Sequence, residues 1–227
     1  MRGDPPAGST PSQLVPDVVK LSGSTADLDR ADIYPMDEGS ALVAAIAAAA
    51  GNEILDLAAA PGGKSLYMTH RGARVTSNDV SVARMRPLVG RSRRIVVSDA
   101  GQPPFRKRFP VVLLDAPCSA TGTIRKSPEL KWRLRESDLA EFAALQRRLL
   151  ASAFEMTKDV LIYSTCSLEP EENDEVVAAM SGAGFERINI AGLAPDGARS
   201  WIEDGVLRLT PESGADGFTA FALRRVR

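Results

Sequence analysis

The chain has 227 residues, 44% hydrophobic and 25% charged, enough to bury one large core, with a formal net charge of −1. That balance excludes a bulk polycation, so any site for a polyanion has to be a local patch. Two cysteines and no N-terminal apolar core flanked by positive charge speak against a disulfide scaffold or a secreted protein. They point to a soluble protein in a reducing, cytoplasmic setting, and no apolar run approaches the ~18 residues of a membrane span.

Residues 1–17 are rich in Pro, Gly and Ser and show no period, so they read as a flexible leader, with order beginning near Val18. Residues 37–50 place Leu42, Val43 and Ile46 on one helical face between an acidic start and Gly51, a helix terminator. Short apolar runs follow at 53–57, 73–79, 94–99, 110–115 and 159–164, the first four with an aspartate at or next to their carboxyl end. Continuous rather than alternating runs, separated by helical or loop segments, predict a parallel sheet covered on both faces. The longest helix is predicted over 137–157, with Leu139, Phe142, Leu149, Ala153 and Met156 on its apolar stripe. Another is predicted from Pro170 to about Gly182, with Glu171 and Glu172 in its first turn. The tail, "GVLRLTP" and "GFTAFALRR", reads as a closing antiparallel pair. The order fits the doubly wound α/β class, in which ligands sit beyond the carboxyl ends of the strands.

Every motif falls on that edge. "DLAAAPGGKS" is a strand, a small-residue turn and a helix start, a shape that lets backbone N–H groups approach a polar ligand, although it is neither GxGxxG nor a Walker loop. Asp79 and Asp99 end the second and third strands. Together these features suit an adenosine-containing cofactor, with Asp79 on its ribose and Asp99 near its adenine, while any one acid alone is equally an ordinary polar strand end.

"DAPCSATGTIRKSPELKW" and "YSTCSLEPEEN", with "AAAPGGK" upstream and "DGFTAFALRR" at the end, resemble the Nop/Sun family of S-adenosylmethionine-dependent RNA cytosine-C5 methyltransferases. The resemblance covers residues 18–227, read as one catalytic domain. It implies a Rossmann-like class I methyltransferase fold, a mostly parallel seven-stranded sheet with a C-terminal antiparallel hairpin. It further implies that Ala58, Ala59, Ala60, Pro61, Gly62, Gly63, Lys64, Asp79, Asp99 and Asp115 hold the cofactor. By the same resemblance Cys166 is the nucleophile and Cys118 assists product release. Four positions depart from the family pattern: Met36 where glutamine is frequent, Ala58 where cysteine is, Ala120 where glycine is usual, and Glu212 where histidine is common.

The chemistry accounts for two thiols and an acid. Carbon 5 of cytosine is a poor nucleophile until a thiolate adds at carbon 6. Asp115 is placed to stabilise charge building on the ring, and a second group must remove the carbon 5 proton before the thiol leaves. Lys64 either raises the local potential beside a thiol or is a solvated helix-start lysine. Arg125, Lys126 and Lys131 are candidates for RNA phosphates, and Trp132 either stacks on a base or packs. His70 lacks a partner motif, and no Cys or His spacing suggests a metal. Local chemistry leaves open a DNA cytosine methyltransferase using Cys118, and a non-catalytic RNA-binding factor that keeps the fold. The RNA target, any helper protein for its recruitment, and the oligomeric state are not written in these motifs.

Overall fold

The computed structural model describes residues 6, 8–21, 33–180, 182 and 184–226. A short hairpin, β1 (Ser9–Pro11) and β2 (Val19–Leu21), precedes α1 (Glu38–Ala50), β3 (Glu53–Asp56), α2 (Gly63–His70), β4 (Arg74–Asp79), β5 (Ile95–Val97) and β6 (Phe109–Asp115). There follow α3 (Leu130–Arg133), α4 (Glu136–Met156), β7 (Thr157–Thr165), α5 (Asp174–Ala178), β8 (Phe185–Ile188), β9 (Ile202–Glu203), β10 (Val206–Leu209) and β11 (Phe218–Arg225).

The main sheet runs β5-β4-β3-β6-β7-β11-β10-β9, parallel from β5 through β7, with β11 antiparallel to β7. Alternate residues sort to two cores, as a period of two demands. Ile54, Val75, Val111, Leu113 and Ile162 pack with Leu42, Val43 and Ile46 of α1 and Met68 of α2. Leu55, Val112, Leu114, Leu161 and Tyr163 pack with Leu149, Leu150 and Phe154 of α4 and Val176 of α5. The expected α/β class with helices on both faces is therefore what the chain adopts. Among the described residues the sheet has nine strands instead of seven, because the outer edge of β11 is shared: β10 pairs with Phe218–Ala220 and β8 with Ala222–Arg225. β9 then adds to β10. The two extra strands are short and half-exposed, too brief for a hydropathy pattern to mark.

Three local readings are corrected. Order does not wait for Val18: Leu14 and Val15 are buried in the α1 core, and the Ser12 hydroxyl accepts from both of their amides at 3.1 and 2.9 Å. Two apolar residues in a Pro-rich stretch carry no period, so composition alone could not mark that packing. The buried face of α4 is Ala143, Gln146, Leu149, Leu150, Ala153 and Phe154, which leaves Leu139, Phe142 and Met156 half-buried. The stripe turns because a polar residue, Gln146, is drawn inward. The helix predicted from Pro170 breaks into a 3-10 turn, Pro170–Glu172, and the five-residue α5. Asn173 breaks it, its Nδ2 donating to the carbonyls of Ser167 and Glu169 at 3.0 and 2.8 Å.

Among the described residues, no helix is long and apolar enough to cross a membrane.

Candidate active site

The parallel strands end together, so Asp56, Asp79, Asp115 and Cys166 lie along one edge of the sheet. After β3 the chain turns through residues 57–62 into α2. Gly62 caps that helix at φ +116, and a Cβ there would lie 2.5 Å from the Leu88 side chain, so the turn accepts only glycine. The Ala60 amide donates to Asp79 Oδ2 (3.1 Å), the Ser81 amide to Oδ1 (2.9 Å), and Arg84 pairs with Oδ1 at 3.2 Å. Asp79 is thus buried and oriented by the turn that Ala58–Gly63 forms, with acceptor capacity left on Oδ2. Val80 and Val97, the latter opposite Asp79 across β5, are both exposed, an apolar shelf beside the acid that suits a flat heterocycle. Asp99 lies past β5, exposed, with the Gly101 amide on Oδ1 at 2.8 Å and Arg148 on Oδ2 at 3.2 Å, contacts that hold its carboxyl below the usual range.

Lys64, at the start of α2, is not solvated. Only 12% of its side chain is exposed, and Nζ lies 2.6 Å from Asp115 Oδ2, donates to Ser40 Oγ (2.7 Å) and stands 5.1 Å from the Phe218 ring centre. Burial works against its charge, but Asp115 outweighs burial and holds Lys64 above its ordinary value. Ser164 Oγ donates to the other oxygen of Asp115 at 2.8 Å. Past Asp115 the chain reaches Cys118, whose Sγ is 3.4 Å from Sγ of Cys166, just after β7. Both are free thiols, and the contact with Cys166 and then burial push the Cys118 thiol well above its ordinary value.

The two cysteine loops are locked together. The Gly122 amide donates to the Cys166 carbonyl (2.9 Å) and the Gly217 amide to the Gly122 carbonyl (2.8 Å). A Cβ on Gly122 would come within 2.5 Å of the Gly217 oxygen and 2.8 Å of the Cys166 oxygen. Beneath them lies a residue that the sequence places in the first turn of a helix. Glu172 is wholly buried, and its carboxylate accepts from the Ser119 amide (2.9 Å), the Ser119 hydroxyl and Gln146 Nε2 (2.8 Å). Gln146 also donates to the Pro117 carbonyl at 2.9 Å, so Cys118 is flanked on both sides by held residues. Hydropathy gives no signal for either, since both are polar residues turned inward.

Ala120, in the same loop, has φ +60, ψ +29. A left-handed conformation costs an L-residue about 1–2 kcal/mol, partly offset by the greater unfolded-state freedom of glycine. Ala120→Gly is expected to stabilise the protein by about 1 kcal/mol, raising Tm by about 2–4 °C in thermal unfolding.

Asp56 is buried at the end of β3. Its Oδ2 accepts from Ser65 Oγ at 2.6 Å, its Oδ1 has no partner, and burial pushes its carboxyl up to about 7. An unfolded aspartate titrates near pH 4, so the native state holds the extra proton between about pH 4 and 7 and stability falls as pH rises through that window. Asp56→Asn should remove this slope. Its stability relative to wild type, measured by urea unfolding at pH 4 and pH 8, should improve by on the order of 3 kcal/mol at the higher pH.

The basic clusters separate. Lys107 pairs with Glu53 (2.6 Å) at the amino end of the strands, the edge opposite the thiols, so residues 106–108 lie away from the site. Arg125 donates to the Gly214 carbonyl (2.8 Å) and Lys126 pairs with Asp216 (3.4 Å), while Lys131 stands on exposed α3. No three His, Cys, Asp or Glu side chains come together as a metal-ligand set among the described residues.

A family model described as 16S rRNA methyltransferase RsmB/F matches residues 43–224. The chain belongs to the RsmB/F family. It is 38% identical over 187 residues to ribosomal RNA small subunit methyltransferase B of Sodalis glossinidius, covering 74% of this chain and 43% of that protein. The protein of the same description from Thermus thermophilus is 35% identical over 223 residues, covering 93% and 55%. The chain thus spans about half the length of the curated RsmB/F relatives it matches. The crystal structure of NSun6 from Pyrococcus horikoshii with SFG superimposes with a TM-score of 0.76 at 26% identity, covering 92% of this chain and 58% of that one. The Nop/Sun resemblance of the cysteine motifs and the RsmB/F assignment agree.

Proposed function

We propose that this chain transfers a methyl group from S-adenosylmethionine to carbon 5 of a cytosine in RNA, and that this RNA is small-subunit ribosomal RNA, with transfer RNA the alternative target. The observation that carries the proposal is the pair of thiols 3.4 Å apart beside the Lys64–Asp115 pair. Carbons 5 and 6 of cytosine are adjacent ring atoms, and two touching thiols reach both at once. Family membership supports the same reading, with residues 18–227 as the catalytic domain acting in the cytoplasm.

S-adenosylmethionine, when bound, supplies an electrophilic methyl group. The turn Ala58–Gly63, Lys64, Asp79, Asp99 and Asp115 would hold it, and exposed Val80 and Val97 would offer its flat heterocycle an apolar surface. Cys166 adds as thiolate to carbon 6, which places electron density on carbon 5, and the Lys64–Asp115 pair is the polar group beside the thiols that would steady the charge on the ring. After transfer, the carbon 5 proton must leave before the bond from sulfur to carbon 6 breaks and Cys166 departs as thiolate. Cys118 is the acceptor in reach. Its largest upward push comes from Cys166, and a Cys166 bonded to carbon no longer carries charge, so at that stage Cys118 can give its thiol proton to solvent and, as thiolate, take the carbon 5 proton. Arg125, Lys126 and Lys131 hold RNA phosphates, alone or with a helper protein.

The test is incubation with labelled S-adenosylmethionine and separate pools of small-subunit ribosomal RNA, transfer RNA and DNA, followed by nucleoside analysis for 5-methylcytosine. Label in ribosomal RNA is the expected result. Label only in DNA, or cofactor binding without label in any pool, overturns it in favour of a DNA enzyme or an RNA-binding factor.

A further inference from the structure

Trp132 is 89% exposed, the sole aromatic among the exposed large hydrophobic side chains of the described residues. Tryptophan is highly buried on average, and leaving an indole in water forgoes a large burial gain. It sits on α3, a four-residue helix with no buried residue, between exposed Lys131 and Arg133. Residues 125–135 hold five cations and one acid in a chain of net charge −1, and Arg125, Lys126 and Arg135 are exposed as well. The segment is not a loose tail. It leaves the thiols through Gly122, bonded to the Cys166 carbonyl, and is tied to the 214–216 loop by Arg125 and Lys126. α3 begins four residues beyond Lys126, so the indole is carried at a fixed place beside the site.

We infer that Trp132 is a stacking subsite for an unpaired nucleobase next to the methylated cytosine, with Lys131 and Arg133 on the flanking phosphates. The inference rests on the proposal that the chain acts on RNA. Chemistry at carbon 5 requires the target base outside its stack, which uncovers one face of its neighbour. An indole plane restores that face, and the alternation of cation and aromatic matches a single strand, whose every base presents a π-face beside a phosphate. Such stacking accepts any base, so the subsite sets position along the strand rather than base identity.

The chain has two tryptophans, so in a Trp201→Phe background emission reports Trp132 alone. Titration with a single-stranded 12-nucleotide RNA containing one cytosine should quench that emission. The same strand with abasic residues flanking the cytosine should quench far less. Trp132→Ala should weaken binding of the intact RNA about tenfold, with kcat at saturating RNA within about twofold and an unchanged melting curve, and Trp132→Phe should recover most of the affinity. Equal quenching by intact and abasic strands, or unchanged affinity in Trp132→Ala, overturns the subsite. So does emission that follows protein concentration instead of RNA, which would assign the indole to a contact between copies. Quenching without methyl transfer removes the proposed activity and keeps the subsite. Methyl transfer with neither quenching nor loss of affinity removes the subsite alone.

Discussion

Cys118→Ala is expected to accumulate a covalent protein–RNA adduct that survives denaturing electrophoresis, whereas Cys166→Ala forms none and loses methyl transfer by on the order of 10³-fold or more. The geometry makes the contrast sharp. With the sulfurs 3.4 Å apart, either thiol reaches the ring, so distance alone does not assign the roles; the proposed assignment rests on the motif resemblance, and this contrast tests it. The contact with Cys166 and then burial push the Cys118 thiol well above its ordinary value, which disfavours its thiolate while Cys166 is free. Removing Cys118 leaves attack and methylation intact but deletes the group placed to take the carbon 5 proton, so the reaction stalls with sulfur on carbon 6. The measurement is a radiolabelled RNA band shifted to the protein's mass, released by protease. An adduct in Cys166→Ala, absent from Cys118→Ala, would exchange the two roles. No adduct in either variant, with wild type active, would exclude a stalled intermediate at this site.

Much of this arrangement was legible in the sequence because it rests on local signals. Apolar runs ending in Asp56, Asp79, Asp99 and Asp115 named the parallel strands and the edge where they finish, and Gly62 named a turn that only glycine can make. The cysteine motifs were legible as motifs, but their contact was not, since it depends on β6 and β7 being neighbours in the sheet. What stayed hidden was polar and long-range. Gln146, which nothing in the sequence singled out, and Glu172, placed in the first turn of a helix, both turn inward because the backbone around Cys118 offers donors and acceptors that water cannot reach. Lys64 was ambiguous in sequence for the same reason, its partner Asp115 lying on another strand. Trp132 was ambiguous in the opposite sense, for only the fold reveals that nothing covers it.

Glu172→Ala is expected to lower stability by about 3 kcal/mol and Tm by about 6–12 °C. Its carboxylate answers three donors in a site without solvent access: the Ser119 amide, the Ser119 hydroxyl and Gln146 Nε2. Alanine leaves the Ser119 amide and one N–H of Gln146 buried and unpaired. Ser119 adjoins Cys118, and Gln146 holds the Pro117 carbonyl on its other side, so the same change loosens the thiol and should lower kcat beyond what the lost stability explains. Glu172→Gln separates the two effects. Its amide oxygen can take the position that faces the Ser119 amide and Gln146. Its NH2 then faces the Ser119 hydroxyl, which can accept from it and still donate to Ser167 Oγ at 3.2 Å. Glutamine is therefore expected to retain most of the stability and most of the activity. Thermal unfolding and kcat at a temperature well below the transition, measured for both variants, check this. An alanine variant that melts with wild type would mean that Glu172 does not hold the loop, and a glutamine variant as damaged as alanine would mean that the negative charge, not the hydrogen bonds, is what the Cys118 loop requires.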